Sequence, residues 1–204
     1  MTIDRDTDAS SIPNNSGRRQ FLIRSTGALF IAGVAATTVP FIQSWQPTEG
    51  ARLSGLPARI DLSKIGAGEG LKLLWRGTPM WVIRRSTASV QQLPMLNDQL
   101  KDPESLLSEQ PDYAKNPLRA RRAEVMVLTA VCTHLSCIPE LKEKGSFEID
   151  AGLESGFYCP CHGSRFDTAG RVLKGSPAST NLAVPPYYFE NDTTLVIGAD
   201  QAAA

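Results

Sequence analysis

Several things are missing from this 204-residue chain, and each absence narrows its function. Neither sign of charge is in excess: Lys plus Arg is 21 and Asp plus Glu is 21. A nucleic-acid binder needs a basic surplus to neutralise phosphates, so that class is excluded. An acidic disordered protein is excluded for the same reason. Low-complexity runs are absent and 42% of residues are apolar, enough to build a core. No charge falls between Arg24 and Glu49. Histidine and cysteine are scarce, two and four residues, and all six lie between Cys132 and His162. No pair of Cys-x-x-Cys knuckles exists, so the usual all-cysteine zinc site has no ligand pattern here.

The uncharged gap is a membrane signal. Ser25 to Trp45 is mostly Ala, Gly, Val, Ile, Leu, Phe and Thr. As a helix this segment is about 30 Å long, one bilayer core. Arg18, Arg19 and Arg24 precede it closely, while Arg52 and Arg59 follow at a distance. The positive-inside bias therefore predicts a cytoplasmic N-terminus, with everything beyond Trp45 outside. Arg18-Arg19 followed by Phe21-Leu22 resembles a twin-arginine export signal. No clean Ala-x-Ala site follows the apolar run, so a retained anchor is expected. The chain divides as a polar, disordered leader ending in the arginines (1–24), an anchor (25–45), a Pro- and Gly-rich tether (46–59) and a head (60–204).

The head reads as mainly β. Leu71–Arg76 and Met80–Arg85 flank Gly77-Thr78-Pro79 as a hairpin. Residues 89–118 suggest a helix with irregular flanks. Val125–Val131 is a buried strand running into Cys132. Phe157-Tyr158, Arg171-Val172-Leu173 and Thr194–Ile197 are further short strands. The polar stretch 138–156 reads as a surface insertion without chemistry. The sum is an antiparallel sandwich or small barrel.

The two clusters are Cys132-Thr133-His134-Leu135-Ser136-Cys137 and Cys159-Pro160-Cys161-His162-Gly163-Ser164. A zinc site of two cysteines and two histidines leaves two thiols unexplained. Two disulfides leave both histidines unexplained. The paired pattern, Cys-Thr-His-Leu-x-Cys with Cys-Pro-Cys-His-Gly-Ser, resembles the Rieske proteins. That resemblance implies one [2Fe–2S] cluster, with ligands Cys132 and His134 from the first loop and Cys159 and His162 from the second. It implies a disulfide between Cys137 and Cys161. It also implies a β-sandwich head with a small cluster-binding subdomain at about 130–180.

The likeness extends from about Arg18 to Gly198, to the iron–sulfur subunits of quinol–cytochrome c reductases. Trp75–Arg85 looks like their first hairpin, and Lys174-Gly175-Ser176-Pro177-Ala178 with Asn181–Pro186 like their proline loop. The implied function is oxidation of ubiquinol at cytochrome b and electron delivery to cytochrome c1, with proton release outside the membrane. The implied assembly is a dimeric complex in a bacterial inner membrane, with swinging heads in the periplasm. By position, His162 meets the quinol and His134 is the second exposed ligand. Leu135 covers the cluster and docks against cytochrome b. Ser164 donates a hydrogen bond to a cluster sulfide.

Two departures stand out. Phe166 occupies a position often held by tyrosine in the family, whose hydroxyl reaches a ligand cysteine sulfur; the expected potential is correspondingly lower. Ser179 stands where a second proline is common. The alternative from the same resemblance is the Rieske subunit of a periplasmic molybdenum oxidase, without quinol chemistry. A zinc-stapled β-domain on an anchor is the rival from another class. Soluble Rieske ferredoxins lack both the anchor and the spare cysteine pair.

Overall fold

The computed structural model describes residues 16–48, 50, 51, 55–143, 146 and 152–201. Most of the polar leader lies outside these residues, as do parts of the tether and of the 138–156 stretch. Two units are distinguished, Met1–Gly50 and Ala51–Ala204.

The first unit is helix α1, Ser16–Ser44, with no buried residue. It starts earlier than the apolar pattern predicts, so Arg18, Arg19 and Arg24 lie inside it. The 29 residues make ~44 Å of helix, of which the uncharged part beyond Arg24 is roughly 30 Å. By length and composition the helix is long and apolar enough to cross a membrane. Pro40 sits within the last turns, where a missing helical bond disturbs least.

The second unit holds three antiparallel sheets of three strands among the described residues. β1 (Ala58–Asp61) pairs with β9 (Thr194–Ile197), which pairs with β8 (Tyr187–Phe189). β2 (Gly70–Trp75), β3 (Thr78–Arg84) and β4 (Val125–Thr129) follow in order. β5 (Glu140–Glu143), β6 (Ser155–Cys159) and β7 (Ser164–Asp167) form the third. The expected mainly-β class with an N-terminal apolar helix is what the structure shows.

The details differ instructively. The β2–β3 hairpin turns on two residues, Arg76 and Gly77, not on Gly77-Thr78-Pro79. Both have positive φ, 51° and 75°, the primed turn whose twist matches the flanking strands. The Arg76 guanidinium stacks on Trp75 and donates to Gly55 O, while Trp75 Nε1 donates to Leu56 O at 3.0 Å. These bonds pin the end of the expected tether, and β1 already takes up its last two residues. Arg171-Val172-Leu173 is not a strand. It makes only isolated bridges, Phe166 with Val172 and Leu100 with Leu173. The 138–156 stretch is more than an insertion, since it supplies β5 and the buried Leu153.

Residues 89–118 fold as a one-and-a-half-turn helix, Thr87–Gln92, capped by the Ser86 hydroxyl. A 3-10 segment, Leu93–Gln99, and irregular chain follow. Polar buried groups hold this strap in place. Arg171, 1% exposed, bonds Asp167 Oδ2 at 2.7 Å, Asn97 Oδ1 and Leu93 O. Asn181, also 1% exposed, accepts from Val172 N and donates to Asp102 O and Ser105 Oγ. Arg119, fully buried, donates to Gln110, Ala169 O and Leu182 O. Burial pushes its guanidinium down to about 10, still charged at neutral pH. The apolar core joins Val82, Val127, Leu128, Phe157, Phe166, Leu182 and Leu195, and it reaches Cys132 and Cys159.

Candidate metal centre

Two loops and a third segment meet at one end of the third sheet. The first loop leaves β4 and enters β5. The second joins β6 to β7. They are built alike. Ser136 N donates to Cys132 O at 2.9 Å, and Gly163 N donates to Cys159 O at 2.9 Å. In each loop the residue four after the leading cysteine takes a left-handed conformation, φ 63° at Ser136 and 74° at Gly163. Glycine adopts this freely; serine carries strain. Cys132 N also donates to Cys137 O at 2.8 Å, closing the first loop on itself.

The tertiary fold sorts the four cysteines into two kinds. Cys137 and Cys161 form a disulfide across the two loops, with Cα atoms 6.5 Å apart. Cys132 and Cys159 are free thiols, 2% and 1% exposed. The sulfurs of Cys137, Cys159 and Cys161 lie within 4.8 Å of one another. Two of these are spent in the disulfide, so the trio is no three-thiolate site. Burial pushes the Cys159 thiol up, as does neighbouring Cys132, while the backbone N–H groups of Cys161 and His162 pull it down. A metal bound here would hold these cysteines as thiolates, and its binding would release their protons.

The two histidines, 28 positions apart in sequence, meet edge to face with ring centroids 4.7 Å apart. His134 is half-buried, and its Nδ1 is a buried atom with no hydrogen-bond partner. Such an orphan inside a protein needs an explanation, and a metal ion is one. Two free buried thiols, an unpartnered imidazole nitrogen and a second imidazole beside it form a soft and borderline donor set that fits an iron–sulfur group. The bridging disulfide fixes both loops with respect to these donors.

The surroundings divide by polarity. His162 and Cys161 are exposed. Leu135 is 64% exposed at the tip of the first loop, with Ile138 44% exposed after it. The third segment, Lys174–Thr180, is tied down. Thr133 Oγ1 donates to Thr180 O at 2.6 Å. Ser164, fully buried, accepts from Ala178 N at 3.0 Å through its hydroxyl. Ser176 Oγ accepts from Arg165 N at 3.0 Å. Phe166, fully buried on β7, faces Phe157 across the pair. Sequence reading missed the strap residues Asn97 and Lys101, and the part that Asn181 plays in holding the strap. Nothing in their spacing sets them apart, because their partners lie more than 70 positions away or on the other side of a turn.

The chain matches two family models. Residues 86–186 match the Rieske [2Fe-2S] domain, and residues 9–48 match the Ubiquitinol-cytochrome C reductase Fe-S subunit TAT signal. It is 42% identical over 93% of its length to the ubiquinol-cytochrome c reductase iron-sulfur subunit of Allochromatium vinosum, covering 92% of that protein. It is 40% identical over 95% of its length to the corresponding subunit of Blastochloris viridis, covering 99% of it. Among solved structures, it is similar to a chain of a hyperthermophilic respiratory Complex III: 26% identity, 83% of this chain, 96% of that one, TM-score 0.46.

Proposed function

The chain belongs to the family of ubiquinol–cytochrome c reductase iron–sulfur subunits, and from that membership we propose that it takes electrons from ubiquinol at cytochrome b and passes them to cytochrome c1. A dimeric complex in a bacterial inner membrane is the setting, with α1 as the anchor, the N-terminus in the cytoplasm and the head in the periplasm. The observation that carries the reading is the meeting of two histidine rings beside two free buried thiols, with the remaining cysteine pair locked as a disulfide. The match to reductase subunits along almost the whole chain favours this over a molybdenum oxidase subunit.

Cys132 and Cys159 would hold one iron of a [2Fe–2S] cluster, and His134 and His162 the other. The cluster supplies one-electron chemistry at a high potential, roughly −150 to +300 mV for this class, because imidazoles bring no negative charge. His134 would hold the iron through Nδ1, its unpartnered nitrogen, which would leave its Nε2 to hold a proton. His162, exposed at the tip, is the residue that receives the quinol's hydrogen bond and proton. It later releases that proton to the outer aqueous phase. Leu135 shields the site from water and docks on cytochrome b. The Ser164 hydroxyl has its oxygen engaged by Ala178 N–H, so its hydrogen is free to donate to a sulfide and stabilise the reduced state.

A redox titration of the membrane-bound protein at two pH values, followed by low-temperature electron paramagnetic resonance, tests this. The expected result is a signal that emerges on mild reduction. Its midpoint falls as pH rises, by up to ~59 mV per unit for one proton per electron. Zinc in place of iron, or a midpoint indifferent to pH at every value tried, overturns the reading.

A further inference from the structure

The third segment contains one place where the backbone cannot hold itself. Pro177 is exposed and has no N–H, so the groups on either side of it must find partners elsewhere. All four are satisfied. Ser176 N donates to Leu173 O, and Ala178 N donates to the Ser164 hydroxyl. The two carbonyls, Ser176 O and Ala178 O, converge on a single donor, the ammonium of Lys101, at 2.6 and 2.8 Å. Lys101 lies 75 positions away from Ser176, on the strap just beyond its 3-10 segment. Its own backbone N–H bonds Val172 O, and the Leu100–Leu173 bridge stands beside it. The strap is thus fixed at its backbone, and the lysine reaches from it across to the proline. Although the lysine as a whole is exposed, its acceptors belong to residues only 7% and 0% exposed.

We infer that Lys101 is a positioning residue for the metal centre: it clamps the two carbonyls around Pro177 and thereby sets the direction of the Ser164 hydroxyl. Ala178 links the two ends of this device. Its carbonyl accepts from Lys101, and its N–H fixes the lone pair of the Ser164 oxygen. When the carbonyl is released, the peptide groups around Pro177 can rotate, the N–H swings with them, and the hydroxyl loses the partner that orients it. Two charge-assisted bonds to one ammonium are stronger than neutral ones. Lys101 touches neither candidate ligand nor disulfide in this arrangement. It acts through the loop. The inference rests on the cluster reading above.

The experiment uses the full-length protein in its membrane complex, with Lys101→Met and Lys101→Arg, each in the natural and the Ser164→Ala background. Two quantities are read: amide hydrogen exchange of Ala178, and the midpoint potential. Lys101→Met is expected to speed exchange at Ala178 about tenfold. It is also expected to shift the reduced-to-oxidised ratio about threefold toward oxidised at a given potential, ~30 mV lower. Lys101→Arg is expected to leave both close to the unsubstituted values, since it keeps a charged donor on the strap. In the Ser164→Ala background the Lys101→Met potential shift vanishes, because residues in one hydrogen-bond chain are non-additive. An equal shift in both backgrounds overturns positioning in favour of the lysine's charge acting through space. No shift in either background overturns it too. Unchanged Ala178 exchange in Lys101→Met overturns the clamp itself, whatever the metal. If the unsubstituted protein gives no iron–sulfur signal, the cluster reading falls, while the exchange measurement still decides the clamp. Lys101→Leu, which likewise removes the donor, replaces Lys101→Met if the latter fails to fold.

Discussion

Replacing Ser164 by alanine separates the two roles a buried hydroxyl can play in this protein. Ser164 is fully buried, and its oxygen accepts from Ala178 N, itself fully buried. Deleting the oxygen leaves that N–H without a partner and without water, which costs about 1–3 kcal/mol. For a head of this size each kcal/mol moves the unfolding midpoint by about 2–4 °C, so Ser164→Ala should lower it by ~2–12 °C. That loss follows from the Ala178 bond alone. If the hydroxyl also donates to a sulfide, a second loss follows. A hydrogen bond to a charged acceptor is worth about 1.5–3 kcal/mol and one to a neutral acceptor about 0.5–1.5, so the extra negative charge of the reduced centre strengthens the bond by about 1–1.5 kcal/mol. Converted at one electron, the midpoint potential should fall by ~40–65 mV. The assays are differential scanning calorimetry of the purified complex and a spectroscopic redox titration. A midpoint potential within ~15 mV of the unsubstituted protein, together with the expected thermal loss, would refute the sulfide bond. Ser164 would then be a loop cap only.

Other substitutions probe other links. Phe166→Tyr places a phenol on β7 in a fully buried position; if its hydroxyl reaches a ligand sulfur, the midpoint potential rises, and a titration showing no rise removes that explanation for a low potential in this chain. Asp167→Asn breaks a pair whose side chains are each 1% exposed, leaving the Arg171 charge buried and uncompensated; a loss of about 3–5 kcal/mol is expected in chemical denaturation, and a loss below ~1 kcal/mol would show that Asn97 and Leu93 O suffice. Ser136→Gly relieves a φ of 63° in the first loop, a gain of up to about 1 kcal/mol after the added freedom of the unfolded chain is subtracted; a lowered thermal midpoint would mean that the serine side chain makes a contact that outweighs the strain.

The expectations that held share one physical trait, which is that their signal is local. The 132–137 and 159–164 clusters carry residue types whose chemistry narrows the choice of group they bind. β4 is legible because five consecutive apolar and β-branched residues stand where a strand buried on both faces needs them. The hairpin was legible too, but its turn was misplaced by a residue or two. Arg76 in a left-handed conformation has no sequence signature, and the stacking on Trp75 with the bond to Gly55 O accompanies it only in the fold. Arg171-Val172-Leu173 looked like a strand because a β-branched residue sits between long ones. In the fold Arg171 turns inward to Asp167, and the segment spends its backbone bonds on Asn181, Arg165 and Lys101.

The sequence by itself determined the family, the apolar N-terminal helix, the β class of the head and the six residues around which the chemistry gathers. Those properties rest on residue type and on spacing within a few positions, which no later packing can alter. The Cys137–Cys161 pairing is implied by the resemblance, and the fold shows it formed with Cys132 and Cys159 left free. Only the tertiary structure decided which imidazole nitrogen is buried without a partner and what steadies the third loop. Each of these depends on bringing together groups 20 to 80 positions apart, and such contacts are set by sheet register and strap placement. The candidate ligands are written in two short motifs. The groups that tie the strap to the third segment are spread along the chain from Leu93 to Asn181, and they become neighbours only when the core closes.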